Sequence, residues 1–118
     1  MKILAPCPSS PNCVSTQATD QSHQIAPYRY QQNLATAKDT LKAIVHRLPR
    51  TQLVEENDGY LHYEFTSFLL RFVDDVEFVF DDAKKTIHFR SASRTGYSDL
   101  GVNRRRMEDI RTLVEGKL

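Results

Sequence analysis

At 118 residues, with 26% charged and 40% hydrophobic side chains, the chain has the size and composition of one globular domain with a modest core. Sixteen Lys and Arg against fifteen Asp and Glu leave a net charge of +1, which gives no ground for long-range attraction to nucleic acid or to an anionic membrane. Any electrostatic function is therefore local, and no apolar run is long enough to span a bilayer.

Residues 1–33 hold four of the five prolines and show no sustained periodicity, so they read as an extended arm lying over the domain. MKILAPC has a lysine and two apolar residues but no apolar h-region, so it does not read as a signal peptide. A cytoplasmic location is expected, or a periplasmic or membrane-associated one if a leader or anchor lies upstream. Leu4-Ala5-Pro6-Cys7 has a trace of a lipoprotein processing site, but a proline stands directly before the cysteine. CPSSPNC places Cys7 and Cys13 around a Ser-Ser-Pro-Asn turn. A disulfide closing that small loop is the leading expectation. Free thiols are the alternative. A metal site is the third, with the spacing too wide for a zinc knuckle and only His23 as a further ligand.

From Leu34 the pattern becomes helical. Leu34, Ala37, Leu41, Ile44, Val45 and Leu48 form one apolar stripe that ends before Pro49. Four strand-like segments follow. Gln52 to Glu56 is short, and Asn57-Asp58-Gly59 is a hairpin turn signal. Tyr60 to Phe65 alternates, with Leu61, Tyr63 and Phe65 on one face. Phe68 to Phe72 is apolar enough to continue that strand or to begin the next. Val76, Phe78 and Phe80 share a face, as do Ile87 and Phe89. A final helix within Asp99 to Leu118 carries Met107, Ile110, Leu113 and Val114, with Asp99 expected as its N-cap.

The turn at Asp81-Asp82-Ala83-Lys84 sets an expected register: Phe80 opposite Lys85, Phe78 opposite Ile87, Val76 opposite Phe89. Every large apolar side chain then lies on the core face, and a slip by one residue would misplace the set. The same register puts Glu77 beside His88 and Asp75 beside Arg90 on the opposite face. Asp74, Asp75 and Glu77 are thus expected to pair with Arg90 and Arg94. Asp74 faces the other way from Asp75. If it is buried, Arg94 or Arg106 is its natural partner.

Three blocks, CPSSPNCVST near the N-terminus, FVDDVEF at 72–78 and RSASRTGYSDLGVNRRRMEDI at 90–110, resemble the domain-of-unknown-function 1499 family in order and spacing over nearly the whole chain. The resemblance implies a small bacterial or plastid-type domain, sometimes carried behind a membrane segment or leader. It implies no reaction.

Arg90, Ser91, Ser93, Arg94, Ser98 and Arg104 crowd the junction between the last strand and the last helix. Guanidinium groups, hydroxyls and a helix start are the chemistry of a phosphate or carboxylate site. The competing account is architectural: Asp99 caps the helix, carboxylates occupy Arg90 and Arg94, Gly96 serves a turn, and Gly101 allows close packing. Adjacent arginines on a helix also point about 100° apart and cannot share one site. The architectural account is favoured. His62 and His88 lie on strands without a third ligand at a diagnostic spacing, so no metal and no cofactor is expected. The strand aromatics fall on the face that helices should cover, so nucleic acid is not expected as a partner.

The expected architecture is α+β. An extended arm, 1–33, precedes a single domain, 34–118. In it a four-stranded antiparallel meander carries an N-terminal and a C-terminal helix on one face. Its element order is analogous to a reduced helix-grip carrier. The expected function is a non-enzymatic module for a small apolar or amphipathic ligand, held between the first helix and the sheet, or for a protein partner. The alternative is an anion-recognising enzyme or sensor at Arg90, Arg94 and the start of the last helix.

Overall fold

The computed structural model describes residues 2–118 and is α+β, with two helices and one six-stranded antiparallel sheet. In chain order the elements are β1 (Cys13–Ser15), β2 (Tyr28–Arg29), α1 (Leu34–Val45), β3 (Thr51–Asn57), β4 (Tyr60–Thr66), β5 (Val73–Asp81), β6 (Thr86–Ser93) and α2 (Val102–Val114). The strands are ordered β1-β6-β5-β4-β3, and β2 also pairs with β6. The sheet is thus wider than the four strands expected from periodicity. The arm supplies the difference: Cys13 pairs with Ala92, and Tyr28 with Ile87, along the β6 edge.

Helix α1 starts where Asn33 caps it, its side-chain oxygen accepting from Thr36 N–H at 2.9 Å. Ala37, Leu41, Ile44 and Val45 are buried at the spacing of one helical stripe. They share a core with Leu61, Tyr63 and Phe65 of β4, Val76, Phe78 and Phe80 of β5, Ile87 and Phe89 of β6, and Met107, Ile110 and Val114 of α2. Tyr28, Phe78 and Phe89 stack within it, with the Tyr28 and Phe89 ring centroids 4.5 Å apart. Tyr28 donates its hydroxyl to Met107 O at 2.6 Å, so the arm is fastened to α2 through the core. On the opposite face Leu4 covers Tyr60 and Val79, so the arm touches both sides of the sheet.

The β5–β6 register differs from expectation. Phe80 pairs with Ile87, Phe78 with Phe89 and Val76 with Ser91. Asp81 pairs with Thr86, so the loop is Asp82 to Lys85, closed by Lys85 N–H to Asp82 O at 3.3 Å, with Lys85 at φ 50. The shift is two residues, which preserves side-chain parity. The apolar set therefore stays inward, while the charge pairs change. Glu77 lies opposite Arg90 rather than His88, and Asp75 lies opposite Ala92 rather than Arg90.

Three boundaries also differ. Ser67 to Phe72 is not strand but an exposed connection. Helix α1 stops at Val45, before Leu48. Helix α2 starts at Val102, with Gly101 at the cap position in the left-handed conformation (φ 81). A Cβ at Gly101 would meet nothing closer than Arg105 Nη1 at 3.7 Å, so backbone conformation rather than close packing calls for glycine there.

Candidate functional site

The residues of the β6–α2 junction divide between a buried polar knot and a set of surface tethers. In the knot, the side-chain carbonyl of Asn103 accepts from Ser91 Oγ at 2.6 Å and from Arg106 Nη1 at 2.8 Å. Its amide donates to Ser93 Oγ at 2.9 Å, to Asp99 Oδ2 at 2.8 Å and to Asn12 O at 3.3 Å. Asn12 in turn donates to Gly96 O at 2.8 Å. Arg106 completes the knot by donating to Asp74 Oδ2 at 2.7 Å, and both of those side chains are largely buried. Of the two partners considered for Asp74, the structure supplies Arg106. Asp99 does not occupy the cap position, but it does the work of a cap. Its carboxylate accepts from the N–H groups of Gly101 at 2.8 Å and Asn103 at 2.9 Å. Despite partial burial, these bonds hold the Asp99 carboxyl below its ordinary pKa.

The tethers occupy the remaining arginines. Arg94 grips Asp75 through Nε and Nη2, both at 2.8 Å, and also pairs with Glu64. The Arg94 guanidinium first, and then His62 at 2.8 Å, hold the Asp75 carboxyl below the usual range. Arg104 donates to Gln24 O at 3.0 Å and Ser22 O at 3.2 Å, on the arm. Arg90 is not paired with Asp75 or Glu77. The Glu77 carboxylate accepts instead from Tyr60 at 2.5 Å, and among the described residues Arg90 reaches only Pro6 O, at 3.4 Å, with its buried Nε unpartnered. Ser98 Oγ accepts from Leu100 N–H at 3.3 Å inside the exposed turn. Ser91 is thus sealed in the knot, Arg94 is closed by acids, and Arg104 is engaged with the arm. The six residues do not converge on one opening.

Cys7 and Cys13 form a disulfide, with their Cα atoms 5.7 Å apart. It closes the loop that carries Asn12 into the knot. Among the described residues, no group of three or more His, Cys, Asp and Glu side chains is placed to hold a metal ion. No helix among them is long and apolar enough to cross a membrane.

The space between α1 and the sheet is filled: Ala37, Leu41, Val45, Tyr63 and Phe78 are fully buried there. The carrier-like cavity expected at that place is therefore absent. A groove of about 390 Å³ lies instead at one end of the sheet, between the α1 exit, the end of β4 and the first turns of α2. Leu48, Phe65, Phe68, Val102 and Ile110 give it an apolar floor, and Arg50, Arg105, Arg106 and Asp109 stand around it. Arg106 is committed to Asp74, whereas Arg50 and Arg105 have no carboxylate partner among the described residues. Arg50 donates its Nε to Thr66 O at 3.0 Å and lies over the Phe68 ring, 5.4 Å from its centroid. Sequence reasoning missed this groove because its residues come from three separate segments and carry no common spacing.

A larger hollow of about 680 Å³ runs under the arm past His88. His88 bonds Thr16 Oγ1 at 3.0 Å, and burial pushes its pKa down. Apart from His88, the described walls of this hollow are arm residues, with Asp20 the one acid and no lysine or arginine among them.

Comparison with curated proteins found no match, and comparison with solved structures found none either. The model of the family described as "protein of unknown function (DUF1499)" matches residues 3–114. The three blocks that suggested this family are also those that meet at Asn103: Asn12 from the first, Asp74 from the second, and Ser91, Ser93, Asp99 and Arg106 from the third. The chain belongs to the DUF1499 family.

Proposed function

We propose that the domain is a non-enzymatic binding module for an amphipathic ligand with an anionic head, held in the groove at the start of α2. The observation that carries this reading is the pairing of an apolar floor with the carboxylate-free guanidinium groups of Arg50 and Arg105. Such a combination of apolar walls and a few convergent polar groups is the usual chemistry of a small-molecule site, and the volume suits an acyl chain. The groove is lined by no histidine, cysteine or lysine among the described residues, and neither the Thr66 nor the Ser67 hydroxyl is hydrogen-bonded to Asp109, its one carboxylate, which favours binding over catalysis.

A medium-chain acyl carboxylate such as dodecanoate is the natural probe, with dodecanol as the neutral control. Dodecanoate is expected to raise the thermal unfolding midpoint with the logarithm of its concentration once that exceeds the dissociation constant, and dodecanol to raise it less. Arg105→Ala should weaken dodecanoate binding about tenfold, the worth of one charge-assisted hydrogen bond, and leave dodecanol unaffected. Equal shifts with both probes, or no loss in Arg105→Ala, would refute the reading.

A further inference from the structure

The connections at the groove end carry apolar side chains that the described residues leave mostly exposed. Ser67 to Phe72 closes on itself: Ser67 N–H donates to Phe72 O, and Phe72 N–H to Ser67 Oγ, each at 2.9 Å. That closed turn leaves Phe68, Leu69, Leu70 and Phe72 exposed by 69%, 81%, 71% and 54%. The β6–α2 connection adds Tyr97 and Leu100, at 71% and 85%. Both connections lie at the same end of the sheet, because Thr66 pairs with Val73 and Asp74 with Ser93, and Arg94 N–H donates to Val73 O at 3.1 Å.

Backbone conformation helps expose them. Arg71 (φ 57) and Leu100 (φ 55) both sit in the left-handed region without being glycine, a conformation that costs free energy and persists where something else requires it. Three consecutive apolar residues at a tip are each more than two-thirds exposed. That suits a fluid medium better than the one-sided packed surface of a protein interface.

The charges are complementary to an anionic surface. Arg50, Arg71 and Arg105 carry no carboxylate partner among the described residues. The acids nearby are mostly engaged: Asp74 by Arg106, Asp75 and Glu64 by Arg94, and Asp99 by backbone N–H groups. Asp109 is the remaining acid of the groove. The near-zero charge of the whole chain conceals this cationic end.

We propose that these two connections dock the domain on an anionic phospholipid surface. The Phe68–Leu70 tip and Leu100 enter the boundary between headgroups and acyl chains, and the guanidinium groups of Arg50, Arg71 and Arg105 meet lipid phosphates. This docking does not depend on the groove holding a ligand.

Co-sedimentation of the whole protein with vesicles tests it. Vesicles of mixed phosphatidylglycerol and phosphatidylcholine are expected to carry the protein down, and phosphatidylcholine alone to carry much less. Rising salt should weaken the anionic partition. The Leu69→Asp/Leu70→Asp double variant should lose at least about tenfold in partition. Arg71→Glu should lose about fivefold or more on anionic vesicles only. Unchanged melting of each variant would show that the fold is intact, as expected for exposed positions. The proposal is overturned if the wild type stays in the supernatant with anionic vesicles, or if the double variant partitions like the wild type. It is equally overturned if sedimentation equilibrium shows a dimer that the double variant dissociates, since the tips would then belong to a second copy.

Discussion

Asn103 and Arg106 sit one turn apart on α2 and share the Ser91 hydroxyl, while Asn103 binds Asp99 and Arg106 binds Asp74, so the knot depends on single side chains. Removing one partner of a buried ion pair costs more than the pair itself contributes, because the other charge is left without compensation. Arg106→Ala strands the buried Asp74 opposite Phe65, and is expected to cost about 3 kcal/mol in urea unfolding. The Asp74→Asn/Arg106→Met double variant should recover much of that loss, and a double variant as unstable as Arg106→Ala alone would argue against a coupled pair. Asp74 and its two possible arginines were legible in the sequence, because an alternating strand must turn one of two adjacent acids inward. The place of Asn103 was not, since a lone asparagine between valine and arginine carries no pattern. Nor was the missing carboxylate partner of Arg90, because the register moved Asp75 away and Tyr60 occupies Glu77, the acid that now lies opposite.

The elements were more legible than their connections. Apolar alternation on β4, β5 and β6 identified the inward faces correctly, and a two-residue shift left them unchanged because parity is all that a pleat reads. The charge pairs, by contrast, depend on the absolute register, which one residue of loop geometry at Lys85 decides. Phe68 to Phe72 was misread for a different reason. Hydropathy cannot distinguish an apolar run that is buried from one that is presented. Strain in that connection offers a test of its own. Asparagine tolerates the left-handed conformation better than arginine, so Arg71→Asn should stabilise the protein by up to about 1 kcal/mol. The same change removes a guanidinium from the cationic end, so vesicle affinity should fall as stability rises. A stability loss in denaturant titration would show that Arg71 is held by contacts rather than strained.

At the scale of the molecule, the arm is the part that composition alone described least well. It is an integral layer, sealing the β6 edge with two short strands and sending Ile25, Tyr28 and Tyr30 into the main core. One of its clamps is titratable. His23 Nε2 lies 2.8 Å from Ser10 O and Nδ1 lies 2.5 Å from Asp20 Oδ2; these contacts, the first being the larger influence, raise its pKa above the ordinary 6.5, with burial and then Arg104 opposing. A base with a raised folded-state pKa stabilises fully below its unfolded value, and the stabilisation is lost as pH rises through the folded value. The arm is therefore expected to loosen above pH 6.5 as His23 loses its proton. Hydrogen exchange of Ser15 N–H, which donates to His23 O at 2.8 Å, should report this once intrinsic rates are removed. Protection that stays level through that range, in wild type and His23→Gln alike, would contradict it.

The course of the arm also has a practical outcome. Lys2 lies over the Tyr60 ring and Leu4 against Tyr60 and Val79, at the opposite end of β4 from Thr66. Six residue steps of extended chain separate those ends, roughly 20 Å. A fluorophore or surface tether attached at Lys2 would thus stand clear of the groove and its flanking tips. The domain could be immobilised by that handle with its recognition end free, and adsorption could be followed without the reporter taking part in it.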